Sequence, residues 1–201
     1  WKWLAWGTGV VAVIVATGIM WFDKPLFLLM RRFNCKLWGL FDVAFDAKMW
    51  MIASFVLMCA FCGKKVAQSG ISFRNDRNQF DFRLFFTDFF AKIKKSYAFF
   101  VFCSVLSASV IAKALKIMIG RARPIFFEAL DMTGFFPWSN EWAFNSMPSG
   151  HTVATFAGLV MLGMLAPRVK WFTWTLAIVV GASRVAYGAH WPTDVLLGAF
   201  I

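Results

Sequence analysis

The chain has 201 residues, 60% of them hydrophobic and 19% aromatic, and a mean hydropathy of +0.66. A soluble globular domain is nearer half apolar, so this composition argues against an ordinary water-soluble fold and for one unit of membrane helices. The net charge of +11 is dispersed between apolar runs, which reads as topology signal and contact with anionic lipid heads and argues against a nucleic-acid partner.

Taken in order, Trp3–Phe22 is uncharged and long enough to span a bilayer, which argues against a cleavable signal peptide. Between Asp23 and Lys48, Leu26, Leu28, Leu29, Phe33, Leu37, Leu40 and Phe41 are interspersed with Arg31, Arg32, Lys36 and Asp42. That pattern predicts an amphipathic segment on the membrane surface, with the cations as lipid-head anchors. Met49–Gly63 is a second, shorter span. Lys64–Lys95 is the most charged region and predicts a cytoplasmic loop with its own short helix, whose Phe80, Phe82, Phe85 and Phe86 dip into the interface. Tyr97–Ile119 is a third span carrying Lys113 and Lys116 near its end; snorkelling accounts for Lys113. An aromatic loop follows, then Thr152–Ala166 and Trp171–Tyr187 as spans four and five, and Val195–Ile201 as the start of a sixth. The expected fold is therefore an all-α integral membrane protein of six transmembrane helices, the last cut short at residue 201, with interfacial amphipathic helices.

The four cysteines form no framework. Cys59 and Cys62 have metal or redox spacing, but they lie in an apolar run without a nearby His, so a buried helix face is expected. Cys35 and Cys103 are isolated.

Positive charge marks the cytoplasmic side. If the spans alternate, Lys2, the Lys64–Lys95 loop and Arg168 with Lys170 share that side. Three polar clusters then meet on the opposite face: Lys116 to Pro124, Pro148 to His151, and Ser183 to Asp194. Lys116, Arg123 and Arg184 repel one another unless an anion joins them, and a guanidinium fork with an ammonium suits phosphate. Lys116 and Arg123 are seven apart, two turns on one face if the helix persists to Pro124. Ser149 stands at an N-cap position, so the free N–H groups of Gly150 and His151 point at an anion, supported by the helix dipole. The chain has only two histidines, His151 and His190, and both lie in these clusters. Two imidazoles with one nearby Asp among three cations make a poor metal site. Imidazole can attack phosphorus or donate a proton. Asp194, four residues after His190, can accept from its ring N–H, and it also suits a helix N-terminus. His151 is left to protonate a leaving oxygen.

These clusters resemble the type 2 phosphatidic acid phosphatase family, whose motifs Lys-x6-Arg-Pro, Pro-Ser-Gly-His and Ser-Arg-x5-His-x3-Asp occur without departure between Lys116 and Asp194. The resemblance implies a single membrane phosphatase domain over 1–201, with its catalytic core in 113–201 and spans and interfacial segments in 1–112. It implies no cofactor and no metal. By position, His190 would be the nucleophile forming a phosphohistidine, with Asp194 assisting it and His151 as general acid. Lys116, Arg123, Ser149, Gly150 and Arg184 would hold the phosphoryl group, with Ser183 in a supporting role. The implied partners are membrane lipids and a lipid phosphate substrate. The implied place is a bacterial inner membrane with the site facing the periplasm. The run Gly120 to Pro124 and the short interval before Pro148 are similar to the lipid A 1-phosphatase group; undecaprenyl pyrophosphate and phosphatidylglycerophosphate phosphatases share the layout. Vanadium haloperoxidases use the same constellation in soluble proteins, and a non-catalytic lipid-phosphate transporter or binding protein would be expected to lack one of the His or Asp residues.

Overall fold

The computed structural model describes residues 2–69, 73–74 and 79–201. Helix α1 (Lys2–Thr17) runs through a π-turn (Gly18–Phe22) into α2 (Asp23–Arg31). Two further helices follow, α3 (Leu37–Ala44) and α4 (Ala47–Gln68). Then come α5 (Phe82–Ile93), the long α6 (Tyr97–Ile119) and short α7 (Pro124–Leu130). The chain closes with α8 (Gly150–Leu165), α9 (Lys170–Ala186) and α10 (Pro192–Phe200).

Among the described residues three helices are long and apolar enough to cross a membrane: Ala5–Arg31, Ala47–Gln68 and Tyr97–Ile119. Their outward faces are apolar, with Trp6, Val13, Ile52, Leu57 and Val110 all more than half exposed. Such a continuous apolar surface is the mark of a lipid-facing protein. The sequence pattern predicts six spans. Helices α8 and α9 have only 16 and 17 residues, short of the ~20 residues a bilayer needs. The first span also continues past Phe22, because the π-turn carries the helix on rather than ending it. The amphipathic stretch divides into α2 and α3. In the charged loop, α4 runs on to Gln68 and α5 supplies the short helix, while Asp76 and Arg77 lie outside the described residues. Phe80, Phe85 and Phe86 join Phe73 and Phe89 in one cluster of ring contacts. Cys59 and Cys62 are free thiols, and Cys62 is buried beside Met58 and Ile93.

Helix α8 is the central element, packed between α6, α9, α4 and α10. Its buried face is small and apolar: Val153 meets Ala108 and Ala112, and Ala154 meets Val101 and Val105. Small side chains allow close helix approach, so the N-terminal end of α8 is fixed against the C-terminal end of α6. Past that end the chain turns at Gly120, whose φ is 61° and whose N–H caps the Lys116 carbonyl at 2.9 Å. This left-handed cap satisfies a helix carbonyl and redirects the chain. A Cβ here would lie 1.8 Å from the Phe136 carbonyl oxygen. Gly120→Ala therefore combines left-handed strain of about 1–2 kcal/mol with a main-chain clash. We predict a thermal midpoint in detergent lower by several degrees than that of a Gly63→Ala control, which meets open space.

Candidate active site

The end of α6, the start of α8 and the α9–α10 turn deliver the polar clusters to one place. Lys116 and Arg123 do not share a helix face, because α6 stops at Ile119 and Gly120 turns the chain. They converge instead on a carbonyl. Lys116 Nζ donates to Asn145 O at 2.7 Å and Ser146 O at 3.4 Å, and Arg123 Nη2 reaches Asn145 O at 3.4 Å. Arg123 also donates from Nε to Trp142 O (3.0 Å) and from Nη1 to Ala189 O (3.2 Å), with its guanidinium 4.4 Å from the Trp142 ring centroid. Both side chains are thus held by main-chain carbonyls rather than by carboxylates. Burial pulls the Arg123 guanidinium down to about 10, with Asp194 acting in the other direction, so it stays protonated at neutral pH. Lys113 reaches Asn140 Oδ1 at 3.5 Å and takes no part in the cluster.

Ser149 is the N-cap of α8, and its N–H donates to the Asp194 carbonyl at 3.0 Å, joining the second and third clusters. Its hydroxyl makes no cap hydrogen bond and instead accepts from Thr152 Oγ1 at 2.9 Å. The first turn of α8 leaves the N–H groups of Gly150 and His151 without intrahelical partners. The position a Cβ would take on Gly150 is 3.7 Å from Lys116 Cε, which places the lysine stem over this turn.

Arg184 and His151 meet at Asp42 of α3. Arg184 Nη1 lies 2.6 Å from Asp42 Oδ1, and His151 Nε2 lies 2.9 Å from the Asp42 carbonyl oxygen and 3.1 Å from Oδ1. Asp46 Oδ2 is 3.4 Å from the same nitrogen. Arg184 Nε is buried with no hydrogen-bond partner. An unmatched buried guanidinium donor is costly and fits an anion site. Ser183 turns away, donating to Val180 O within α9.

His190 and Asp194 are both buried. His190 Nδ1 is 3.7 Å from Asp194 Oδ2, with Ser146 Oγ 3.5 Å from the same nitrogen. Asp194 is also the N-terminal acid of α10: its Oδ2 accepts from the Trp191 N–H at 2.9 Å and from Ser146 Oγ at 2.5 Å. Burial first, and then the Lys116 and Arg123 charges, push the His190 imidazole down to about 3, against the pull of Asp194. The ring is therefore neutral at physiological pH, with a lone pair available on the nitrogen that does not face Asp194. That is a nucleophile's protonation state.

Sequence reasoning missed Ser146, Asp42, Asp46, Asp23 and Arg121. The last donates from Nη1 to Asp194 Oδ1 at 2.7 Å. Arg31, read from the sequence as a lipid anchor, pairs with Glu128 at 2.9 Å beside a cavity of about 350 Å³ that opens next to Arg123 and is also lined by Asn34, Trp142 and Tyr187.

A family model described as the PAP2 superfamily matches residues 97–201. A lipid A 1-phosphatase of Rhizobium etli is 39% identical over 99 residues, 49% of this chain and 43% of that protein. An undecaprenyl-diphosphatase of Sulfolobus acidocaldarius is 41% identical over 54 residues, 26% of each chain. The matched stretch thus spans less than half the length of these curated relatives. A crystal structure of Aquifex aeolicus LpxE is similar with a TM-score of 0.49 and 20% identity, over 88% of this chain and 87% of that one.

The depressed His190 predicts a pH dependence of stability. Its folded pKa lies below the unfolded value of about 6.5, so the neutral ring adds stability that is complete above that pH. As the pH falls toward the folded value, the unfolded chain takes up a proton that the folded one refuses, and the stability is lost. Relative to His190→Asn, the wild-type protein should lose stability on acidification from pH 6 to pH 4 by up to about 1.4 kcal/mol per pH unit. Parallel denaturation curves for the two proteins would show that the ring titrates normally.

Proposed function

The chain belongs to the PAP2 superfamily, and from that premise we propose an integral membrane lipid phosphatase that works through a phosphohistidine. The observation that carries this reading is the cation set, in which Lys116 and Arg123 are held by carbonyls and buried Arg184 keeps an unmatched Nε, beside a neutral, buried His190.

In the first step the free ring nitrogen of His190 attacks phosphorus, and the bond from phosphorus to the lipid oxygen breaks. His151 gives that oxygen its proton. Lys116, Arg123, Arg184, the Ser149 hydroxyl and the N–H groups of Gly150 and His151 spread over the equatorial oxygens, where charge accumulates in the transition state. Asp194 stabilises the imidazolium that forms at His190. Water then attacks phosphorus, His151 takes its proton, the nitrogen–phosphorus bond breaks and phosphate leaves. Asp42 gives His151 and Arg184 a partner until the anion arrives.

The substrate we favour is lipid A carrying a 1-phosphate, the named substrate of the Rhizobium etli relative. The cavity beside Arg123, with Trp142, Tyr187, Asn34 and the Arg31–Glu128 pair, has room and polarity for a sugar head group. We place the protein in a bacterial inner membrane with six spans, the shorter three helices crossing with their ends in the interface and the site facing the periplasm. The catalytic core is 113–201 within one domain. No metal enters the scheme: three cations supply the positive charge that a metal would, and they would repel one.

Purified protein in detergent should release phosphate from lipid A 1,4′-bisphosphate faster than from undecaprenyl pyrophosphate, phosphatidylglycerophosphate or phosphatidic acid, and only from the 1-position. His190→Ala should leave less than a tenth of that rate in a folded protein. EDTA should not slow it; loss in EDTA restored by a divalent cation would contradict the cation-cradle chemistry. Preference for another lipid would move the substrate, and no release from any would return the chain to a binding role.

A further inference from the structure

The buried network around Arg121 reaches far from the three motifs. Arg121 follows the Gly120 turn, is 6% exposed, and lies between the rings of Phe135 and Trp191, at 5.7 Å and 5.3 Å from their centroids. Its Nη1 donates to Asp194 Oδ1 and to Thr193 Oγ1, each at 2.7 Å, and its Nη2 donates to Asp23 Oδ2 at 2.5 Å. Asp23 is 2% exposed, and its Oδ1 accepts from the Thr193 N–H at 2.9 Å while Oδ2 accepts from the Thr193 hydroxyl at 2.6 Å. Two carboxylates from opposite ends of the chain thus share one guanidinium.

Local backbone explains how Asp23 arrives there. The π-turn Gly18–Phe22 offsets the helix immediately before it; such bulges occur often at functional sites. Gly18 lets the helix press onto the start of α10, since a Cβ there would be 2.5 Å from Thr193 Cγ2. Phe27 of α2 then packs on Trp191, with ring centroids 5.2 Å apart.

A tether between the first helix and the core could be built from apolar contacts alone, without the large desolvation cost of three buried charges. What the charges add is geometry. The planar fork of Arg121 fixes Asp194 Oδ1, which turns Oδ2 toward Ser146, the Trp191 N–H and His190. Asp23 fixes the other side of the fork and the N–H of Thr193, the residue before Asp194. We propose that Asp23 and Arg121 are positioning residues for the Asp194–His190 pair, so that the first membrane helix, which lies outside residues 97–201, is part of the active site. The proposal rests on the reading of His190 as nucleophile. With Asp194 so held, Nδ1 of His190 carries the proton and the other nitrogen faces phosphorus.

The chain's two histidines make this readable. Full-length protein labelled with ¹⁵N-histidine, with His151→Asn to assign the signals, reports the His190 tautomer in micelles. Wild type should show the Nδ1–H form. Asp23→Asn and Arg121→Lys should mix the tautomers and lower kcat about ten- to a hundredfold, the order seen when a partner that orients a metal-bound His is lost. KM should stay within about twofold, and Asp23→Glu should recover part of kcat. A wild-type Nε2–H signal overturns the proposal even if no variant folds. So does a folded Asp23→Asn with unchanged kcat and tautomer, or a fall in kcat that follows thermal stability with the tautomer unchanged. If wild type releases no phosphate from any lipid, the functional reading fails, while the tautomer shift still decides whether Asp23 and Arg121 orient the pair.

Discussion

Buried cations repel one another, and how they are held decides whether a site can take an anion. In many proteins a carboxylate neutralises each one. Here Lys116 and Arg123 are satisfied by the carbonyls of Trp142, Asn145, Ser146 and Ala189. A carbonyl dipole satisfies a donor without bringing the full counter-charge of a carboxylate, which leaves room for an anion to supply it. The loop from Trp138 to Met147, which has no Lys or Arg, supplies most of those carbonyls and is folded to do so by main-chain hydrogen bonds with Ile117, Arg121 and Arg123. The left-handed turn at Gly120 makes that loop possible, and the close packing of α6 on α8 brings it over the N-terminus that carries Ser149 and Gly150.

Acidic groups are arranged around these cations with different partners. Asp194 is tied to Arg121, Ser146 and the Trp191 N–H, so it faces His190 without neutralising Lys116 or Arg123 through a direct contact. Asp42 pairs with Arg184 and His151, and sits on a short helix with half-exposed side chains at the rim. A rigid acid at the centre and a peripheral one at the edge suit a site whose anion must enter and leave.

Much of this was legible in the sequence. The three motifs name Lys116, Arg123, Ser149, Gly150, His151, Arg184, His190 and Asp194, and the alternation of apolar runs brings their segments to one end. The rest depends on long-range packing that has no period. Asp23 meets Thr193 across 170 positions and Arg121 across 98, so neither contact leaves a local pattern. Two signals were present: an acid at the end of a long apolar run, and a second arginine inside the Lys116–Pro124 cluster. The face shared by Lys116 and Arg123 was read from helical spacing, which Gly120 interrupts. The π-turn at Gly18–Phe22 has no composition that distinguishes it from ordinary helix, so the first span was ended too soon. The count of spans rests on length: α8 and α9 match the apolar runs read from the sequence, and at 16 and 17 residues both fall short of the ~20 a bilayer needs.

The central claim is that His190 takes the phosphoryl group. Acid-free quenching of the enzyme during turnover of lipid A 1,4′-bisphosphate, followed by peptide mass spectrometry at alkaline pH, reads this directly. The account predicts one phosphoryl group on His190, accumulating further in His151→Ala when an activated leaving group replaces the lipid. A phosphoryl group on His151 or on no residue, in a preparation releasing phosphate at full rate, would contradict it.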